Sequence, residues 1–232
     1  MCGRIIQASG PLRYAFVDGL DVRDTRLSNL PRRYNGAPSQ AILVIRENHK
    51  TGERSLDPVA WGFVPNWQRD PKPKQRPINA KSETVARSGL FGEAFAKRRC
   101  IIPVDGFFEW RATKQGRQPY AIGMKDGSPF GLAGIWDNWK DPATGEWTRT
   151  FAIITVPANA LVAGIHDRMP AILRPEDYER WLSPEPDARD LLRPFPAEAM
   201  RMWPVSMRVN TPQNDDASMI DPVTLDGELA TA

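Results

Sequence analysis

The sequence predicts an α+β fold built as one β-rich domain. Apolar and β-branched runs of strand length recur along the whole chain, as in residues 41–45 (Ala-Ile-Leu-Val-Ile), 101–104 and 150–156. Helical spacing is confined to short stretches, and the 22 prolines among 232 residues limit helix length and favour shaped loops. Strands with helices scattered between them fit α+β better than alternating βαβ units. No internal repeat, low-complexity block or clean linker divides the chain, so residues 1–210 are read as the domain and 211–232 as an acidic, loop-like tail.

In chain order, Cys2-Gly3-Arg4-Ile5-Ile6 begins as a short strand. Residues 11–20 have helical spacing, with Pro11 suited to the first turn. Residues 21–38 are polar and turn-rich. Residues 41–45 and 55–61 form two strands around a hairpin loop at 48–52 that contains His49. Gly62–Trp67 is aromatic and irregular, and 68–77 is rich in Pro, Lys and Arg, either an exposed loop or a basic binding edge. Residues 83–98 place Leu90, Phe91, Ala94 and Phe95 on one helical face. Residues 101–110 are expected as one strand, followed by strands at 119–124 and 129–136 with a Lys125-Asp126-Gly127 hairpin turn between them. The strand at 150–156, a helix at 175–182, a proline-broken stretch at 184–200 and a last strand at 202–209 complete the domain.

Composition narrows the function. Two cysteines, Cys2 and Cys100, do not make a disulfide scaffold in a chain this long. Two histidines and no metal-ligand spacing point to no metal and no cofactor. No basic-then-apolar leader and no apolar run of about 20 residues is present, which predicts a cytoplasmic protein without a membrane partner. A net charge of +3 with pI about 9.0 permits nucleic-acid binding without requiring it.

Cys2 directly follows the initiator methionine. Once Met1 is removed, Cys2 carries an α-amine and a thiol on adjacent carbons, with ordinary pKa values of about 7.7–8.0 and about 8.5. Such a 1,2-aminothiol condenses with an aldehyde to an imine, and the thiol then closes a thiazolidine. The alternative is an uncleaved terminus with a small buried cysteine. Glu109 lies in Gly-Phe-Phe-Glu-Trp, where alternation puts Phe107 and Glu109 on one face and Phe108 and Trp110 on the other. There it is either a proton-transfer carboxyl of raised pKa or an edge-strand glutamate facing water. Asn79 is a helix N-cap or a functional amide, and His166 a functional or a plain surface-loop histidine. Arg4, Arg33, Lys81 and Arg168 stand beside these positions, and Trp67 offers a stacking surface suited to single-stranded nucleic acid.

Met1-Cys2-Gly3-Arg4, Arg33-Tyr34-Asn35 with Ala37-Pro38, Trp61-Gly62 with Pro65 and Trp67, Ile78-Asn79-Ala80 with Glu83-Thr84, Asp105–Trp110, and His166-Asp167-Arg168-Met169-Pro170 occur in that order. Together they closely resemble the SOS-response-associated peptidase (SRAP) family of abasic-site processing proteins, from Met1 to about Val209. The expected fold is one of twisted mixed sheets forming a barrel-like core with peripheral helices. The resemblance implies binding to abasic sites in single-stranded DNA, or at single-strand–duplex junctions, and capture of the sugar aldehyde as a thiazolidine crosslink to Cys2 during DNA repair. It implies that Asn79 holds the terminus or sugar, that Glu109 shuttles protons, and that His166 serves as acid and base on the sugar. Arg4, Arg33, Lys81 and Arg168 would contact phosphates, Asn35 and Pro38 would belong to the DNA-binding set, and Trp67 would pack at the junction. Lys81 stands where the family usually has Arg, which keeps the charge but loses the bidentate fork. A lyase side activity, autocatalytic removal of Met1, a monomeric state and nucleoid association when DNA-bound complete these expectations. An N-terminal-nucleophile amidohydrolase or peptidase and a non-catalytic single-strand-binding module are the competing readings.

Overall fold

A computed structural model describes residues 2–15, 20, 30–48, 50–114, 116–185 and 187–225. Its described strands form two sheets, and the expected β-rich α+β architecture with a barrel-like core is present. The barrel comprises β3 (Ala41–Asn48), β4 (Glu53–Trp61), β6 (Arg99–Val104), β9 (Phe130–Lys140) and β10 (Trp147–Pro157). Its order is β10-β4-β3-β6-β9, and β9 pairs with β10 to close it. Only the β4–β10 contact within the barrel is parallel. Closure removes the unpaired edges that a five-stranded sheet would otherwise expose. Two three-residue strands, β5 (Asn79–Lys81) and β11 (Arg168–Pro170), flank the C-terminal half of β10.

The second sheet is antiparallel and ordered β12-β8-β7-β1-β2, from β1 (Ile5–Gln7), β2 (Arg33–Gly36), β7 (Gly106–Thr113), β8 (Gly116–Met124) and β12 (Met200–Pro204). One face, with Ile5, Phe107 and Ile122, packs into the main core with Ile45, Ile102 and Phe151 of the barrel. The other face carries Ile6, Phe108 and Ala121 and is covered by Val205, Val209 and Met219. The helices are short: α1 (Gly92–Lys97) and α2 (Tyr178–Leu182). No described helix is long and apolar enough to cross a membrane.

Several local expectations are corrected. Residues 101–110 are two strands, because the chain leaves the barrel at Asp105 and enters the second sheet. The Asp105 carboxylate accepts hydrogen bonds from the Ala8 and Ser9 N–H groups (2.7 and 2.8 Å) and the Tyr14 hydroxyl (2.6 Å), which pins that crossing to the N-terminal segment. The helix expected over 83–98 breaks into a 3-10 turn at Val85–Arg87 and α1, since extended Ser88 turns its hydroxyl onto the Leu90 and Phe91 N–H groups. The helix at 175–182 likewise opens as a 3-10 turn, Pro175–Asp177. Arg33–Gly36 is a strand, not part of a turn, and Asn79 sits in β5 and caps no helix. Lys125-Asp126-Gly127 does form a turn, with Gly127 at φ +70°, but it joins strands of different sheets. The last strand ends at Pro204, and the Ser206 side chain caps a 3-10 turn at Met207–Asn210. Residues 211–225 are packed, with Met219 buried and Val205 bridged to Pro222. The helix expected at 11–20 appears as a 3-10 turn at Pro11–Tyr14; residues 16–19, His49 and 226–232 lie outside the described residues.

Candidate active site

The N-terminal segment is placed by β1. Ile5 pairs with Phe107, and the Arg4 carbonyl accepts the Phe108 N–H at 3.1 Å, so the chain runs into the second sheet beside Glu109. Cys2 is fully buried in the main core, its thiol 3.9 Å from the Arg4 carbonyl. Burial pushes its thiol pKa up, and the Glu109 carboxylate adds to that shift. Glu109 is 2% exposed on a strand flanked by β8 and β1, which removes the water-facing alternative. The alternation reading holds: Phe107 lies in the main core, while Phe108 and Trp110 pack on the opposite face. Burial raises the Glu109 pKa; the positive chain terminus and His166 pull it back. Thiol, carboxyl, terminus and imidazole thus interact electrostatically in one place.

His166 precedes β11, and its Nδ1 accepts the Arg168 N–H at 2.9 Å, with the Asp167 carboxylate 3.0 Å away. The Arg168 carbonyl lies 3.1 Å from the same nitrogen, which accepts in one tautomer and donates in the other. Asn79 and Lys81 reach the same region through β5, where they pair with Ile153 and Thr155 of β10. The Asn79 Oδ1 and Nδ2 are buried and make no hydrogen bond among the described residues. A buried amide without partners is costly, and a group that supplies a donor and an acceptor would complete it. Lys81 is exposed.

Arg168 is less available than expected. Its guanidinium grips Glu83 through two bonds (2.8 and 3.0 Å) and donates to the Thr155 hydroxyl and carbonyl (3.2 and 2.6 Å). That fork holds the Glu83 carboxyl down to about 2. Glu83 and Thr155 are site residues that sequence reasoning missed. Glu83 stood within a quoted motif, whereas Thr155 reads as an ordinary strand former.

Arg4, Asn35 and Arg33 gather into a separate clamp. Asn35 is fully buried; its Oδ1 accepts from Arg4 at 2.7 Å, and its Nδ2 faces the carbonyls of Val209, Thr211 and Asn214 at 3.1, 3.2 and 2.8 Å. Arg4 also donates to the Val209 and Asn210 carbonyls and lies over the Trp110 ring at 5.8 Å. Arg33 pairs with Asp215 at 3.2 Å. Pro38 sits half-buried in the turn after β2. Trp67 is 51% exposed at the start of a loop whose Arg69, Lys72, Lys74 and Arg76 are also exposed. Among the described residues no group of His, Cys, Asp and Glu is arranged to hold a metal ion.

The comparisons with known proteins agree with one another. The family model described as SOS response associated peptidase (SRAP) matches residues 1–212. The abasic site processing protein YoqW of Bacillus subtilis is 38% identical over 81% of this chain and 85% of its own. YedK of Escherichia coli, of the same designation, is 33% identical over 96% of this chain and 100% of its own. A crystal structure of a Bacteroides thetaiotaomicron protein superposes with a TM-score of 0.84 at 30% identity, covering 96% of this chain and 100% of that one. The chain belongs to the SOS response associated peptidase (SRAP) family.

Proposed function

We propose that this protein processes abasic sites in DNA, and that it does so by covalent capture through Cys2. The names of its relatives supply the substrate class. The observation that carries the mechanism is the buried Glu109, raised in pKa by burial and interacting electrostatically with the Cys2 thiol and His166.

The reaction requires Met1 to leave, which makes Cys2 the amine donor. The Cys2 amine adds to the C1′ aldehyde of the ring-opened deoxyribose, giving a carbinolamine. Glu109, whose protonated form burial favours, donates to the departing hydroxyl; water leaves and an iminium forms. The thiol, kept protonated by burial, passes its proton to the now ionised Glu109 as sulfur attacks the iminium carbon. The product is a thiazolidine, and the net change is loss of one water. His166, whose field reaches Glu109, is suited to open the sugar ring by moving a proton between ring oxygen and anomeric hydroxyl. The unpaired Asn79 amide offers both a donor and an acceptor to the sugar or the terminus. Lys81 and Trp67, both exposed, are suited to a phosphate and to an unstacked base of a single strand. A lyase side reaction would draw on the same imine, which acidifies the adjacent C2′ proton.

The test is intact mass of the purified protein, alone and with an abasic single-stranded oligonucleotide. Loss of Met1 and an adduct equal to protein plus oligonucleotide less one water are expected, with no adduct for Cys2→Ala. A Met1-free wild type that forms no adduct refutes the reading. Turnover of an unrelated peptide would favour an N-terminal-nucleophile peptidase instead.

A further inference from the structure

The barrel wall carries a cavity that no part of this chemistry uses. It measures about 590 Å³ and is lined by Arg46, Lys97, Arg98, Trp136, Asn138 and Arg149 among others. Its lining holds five Lys or Arg against three carboxylates; Asp57 pairs with Arg46 and Glu47 with Arg54, while Arg98 pairs with Asp137 and Lys97 reaches Glu93 at 3.7 Å. Arg46 stacks over the Trp136 ring at 4.5 Å. Two buried N–H donors, Arg46 Nε and Trp136 Nε1, have no hydrogen-bond partner among the described residues. Both groups only donate, so what satisfies them must accept. Exposed Lys97 and Arg149 add positive charge. Two unpartnered donors beneath a cationic rim suit an oxyanion, and the stacked guanidinium suits phosphate.

The cavity also has neighbours of the right kind. It shares Asn138 and Arg149 with a hollow bounded by Trp147, which is 63% exposed and faced by Lys140 at 5.8 Å. It is joined to the Trp67 loop by Asp137, whose carboxylate accepts the Asn66 N–H at 2.9 Å and pairs with Arg98 at 3.1 Å. Along β10, Arg149 lies six residues from Thr155, which at about 3.3 Å per residue is about 20 Å from the Lys81–Arg168 row.

We infer that this cavity is a second phosphate-binding site, which takes a backbone phosphate of the DNA strand remote from the captured sugar. The inference rests on the function proposed above and lengthens its footprint past Trp67 onto the barrel wall. A strand stacked at about 3.4 Å per base needs about six nucleotides to span both places.

The test is the double variant Lys97→Ala/Arg149→Ala, with Lys114→Ala/Arg117→Ala as a control of equal charge on exposed positions of the second sheet. Binding of an undamaged single strand of about 20 nucleotides is measured against salt. Losing two phosphate contacts at about 0.7 counterions each lowers the slope of log K against log salt by about 1.4, or roughly 25-fold in affinity at 0.1 M. That loss, absent in the control, together with unchanged adduct formation on a short abasic oligonucleotide, supports the site. Equal losses in both variants, or no loss in either, overturn it. Inorganic phosphate that perturbs Trp136 fluorescence while long-strand binding is unaltered assigns the cavity to free phosphate and overturns the DNA reading. Failure of the wild type itself to form the short-oligonucleotide adduct instead sinks the proposed function.

Discussion

Replacing Asn35 by alanine separates two roles that the sequence leaves mixed. As a DNA contact, Asn35 would affect binding and little else. Its position in the structure gives it a different load. The amide has two N–H groups shared among three backbone carbonyls, and its oxygen accepts from the charged Arg4 guanidinium. Two neutral bonds at about 1 kcal/mol each and one bond to a charge at about 1.5–3 kcal/mol sum to about 4 kcal/mol. The loss falls on buried carbonyls that water cannot easily reach, so little is recovered. For a domain of this size, about 2–4 °C per kcal/mol converts this to a fall in Tm of about 8–16 °C. Urea unfolding followed by tryptophan fluorescence reads the free energy, and a DNA-binding isotherm well below the new Tm reads the contact. A variant within about 0.5 kcal/mol of wild type, the range of an ordinary surface substitution, would refute the clamp. Lost DNA affinity at unchanged stability would restore Asn35 to the binding surface.

Three further outcomes follow from the same geometry. Glu109→Gln removes the proton acceptor and should slow adduct formation by about 10²–10⁴-fold in a quenched time course. Because the folded pKa of Glu109 is raised, its contribution to stability is present below the unfolded value of about 4.3 and is lost as pH rises through the folded value. Glu109→Gln should therefore be at least as stable as wild type at pH 7, with the gap closing below pH about 4; greater stability of wild type at neutral pH would contradict the burial argument. Glu83→Gln releases the Arg168 fork and should tighten single-strand binding, with a slope against log salt steeper by about 0.7. Glu83 has the opposite sign: its folded pKa of about 2 places its stabilisation above the unfolded pKa, to be lost as pH falls toward 2. Half-exposed, it contributes little, so acid unfolding of Glu83→Gln should nearly overlay wild type. Gly134→Ala puts a methyl 2.3 Å from Ile102 Cδ1 and 3.0 Å from Cys100 Sγ inside the barrel, and should cost about 1–3 kcal/mol in urea unfolding.

What the sequence reveals depends on how local the cause is. The Phe107–Trp110 alternation is a property of four adjacent residues, so the side on which Glu109 falls was readable before any fold was known. The barrel strands at 41–48 and 147–157 declare themselves by β-branched runs for the same reason. Asp105 is different. Nothing in Val-Asp-Gly says that the strand changes sheets there, because the reason lies in Ala8, Ser9 and Tyr14. Asn35 and Asn79 show the limit most sharply. Each sits in a three- or four-residue strand whose pairing comes from distant chain, so local propensity reads a turn in one and a cap in the other. The thiol and carboxyl of the candidate site were legible as chemistry. That Arg168 is already spent on Glu83, and Arg4 on the C-terminal segment, was not, because an ion pair across 85 residues and a hydrogen bond across 205 leave no mark on either neighbourhood.

The Arg4 clamp has a consequence for the order of events in the cell. Its carbonyl partners lie at Val209 and Asn210, so it cannot close until nearly the whole chain has left the ribosome. At about 5–20 residues per second, the first residues spend about 10–40 s outside without their final anchor. A nascent-chain aminopeptidase meets a loose end in that interval, whereas any processing by the protein's own groups must wait until Glu109 and the clamp are in place. The two routes to a free Cys2 are thus separated in time, and a chain stopped before residue 209 tells them apart.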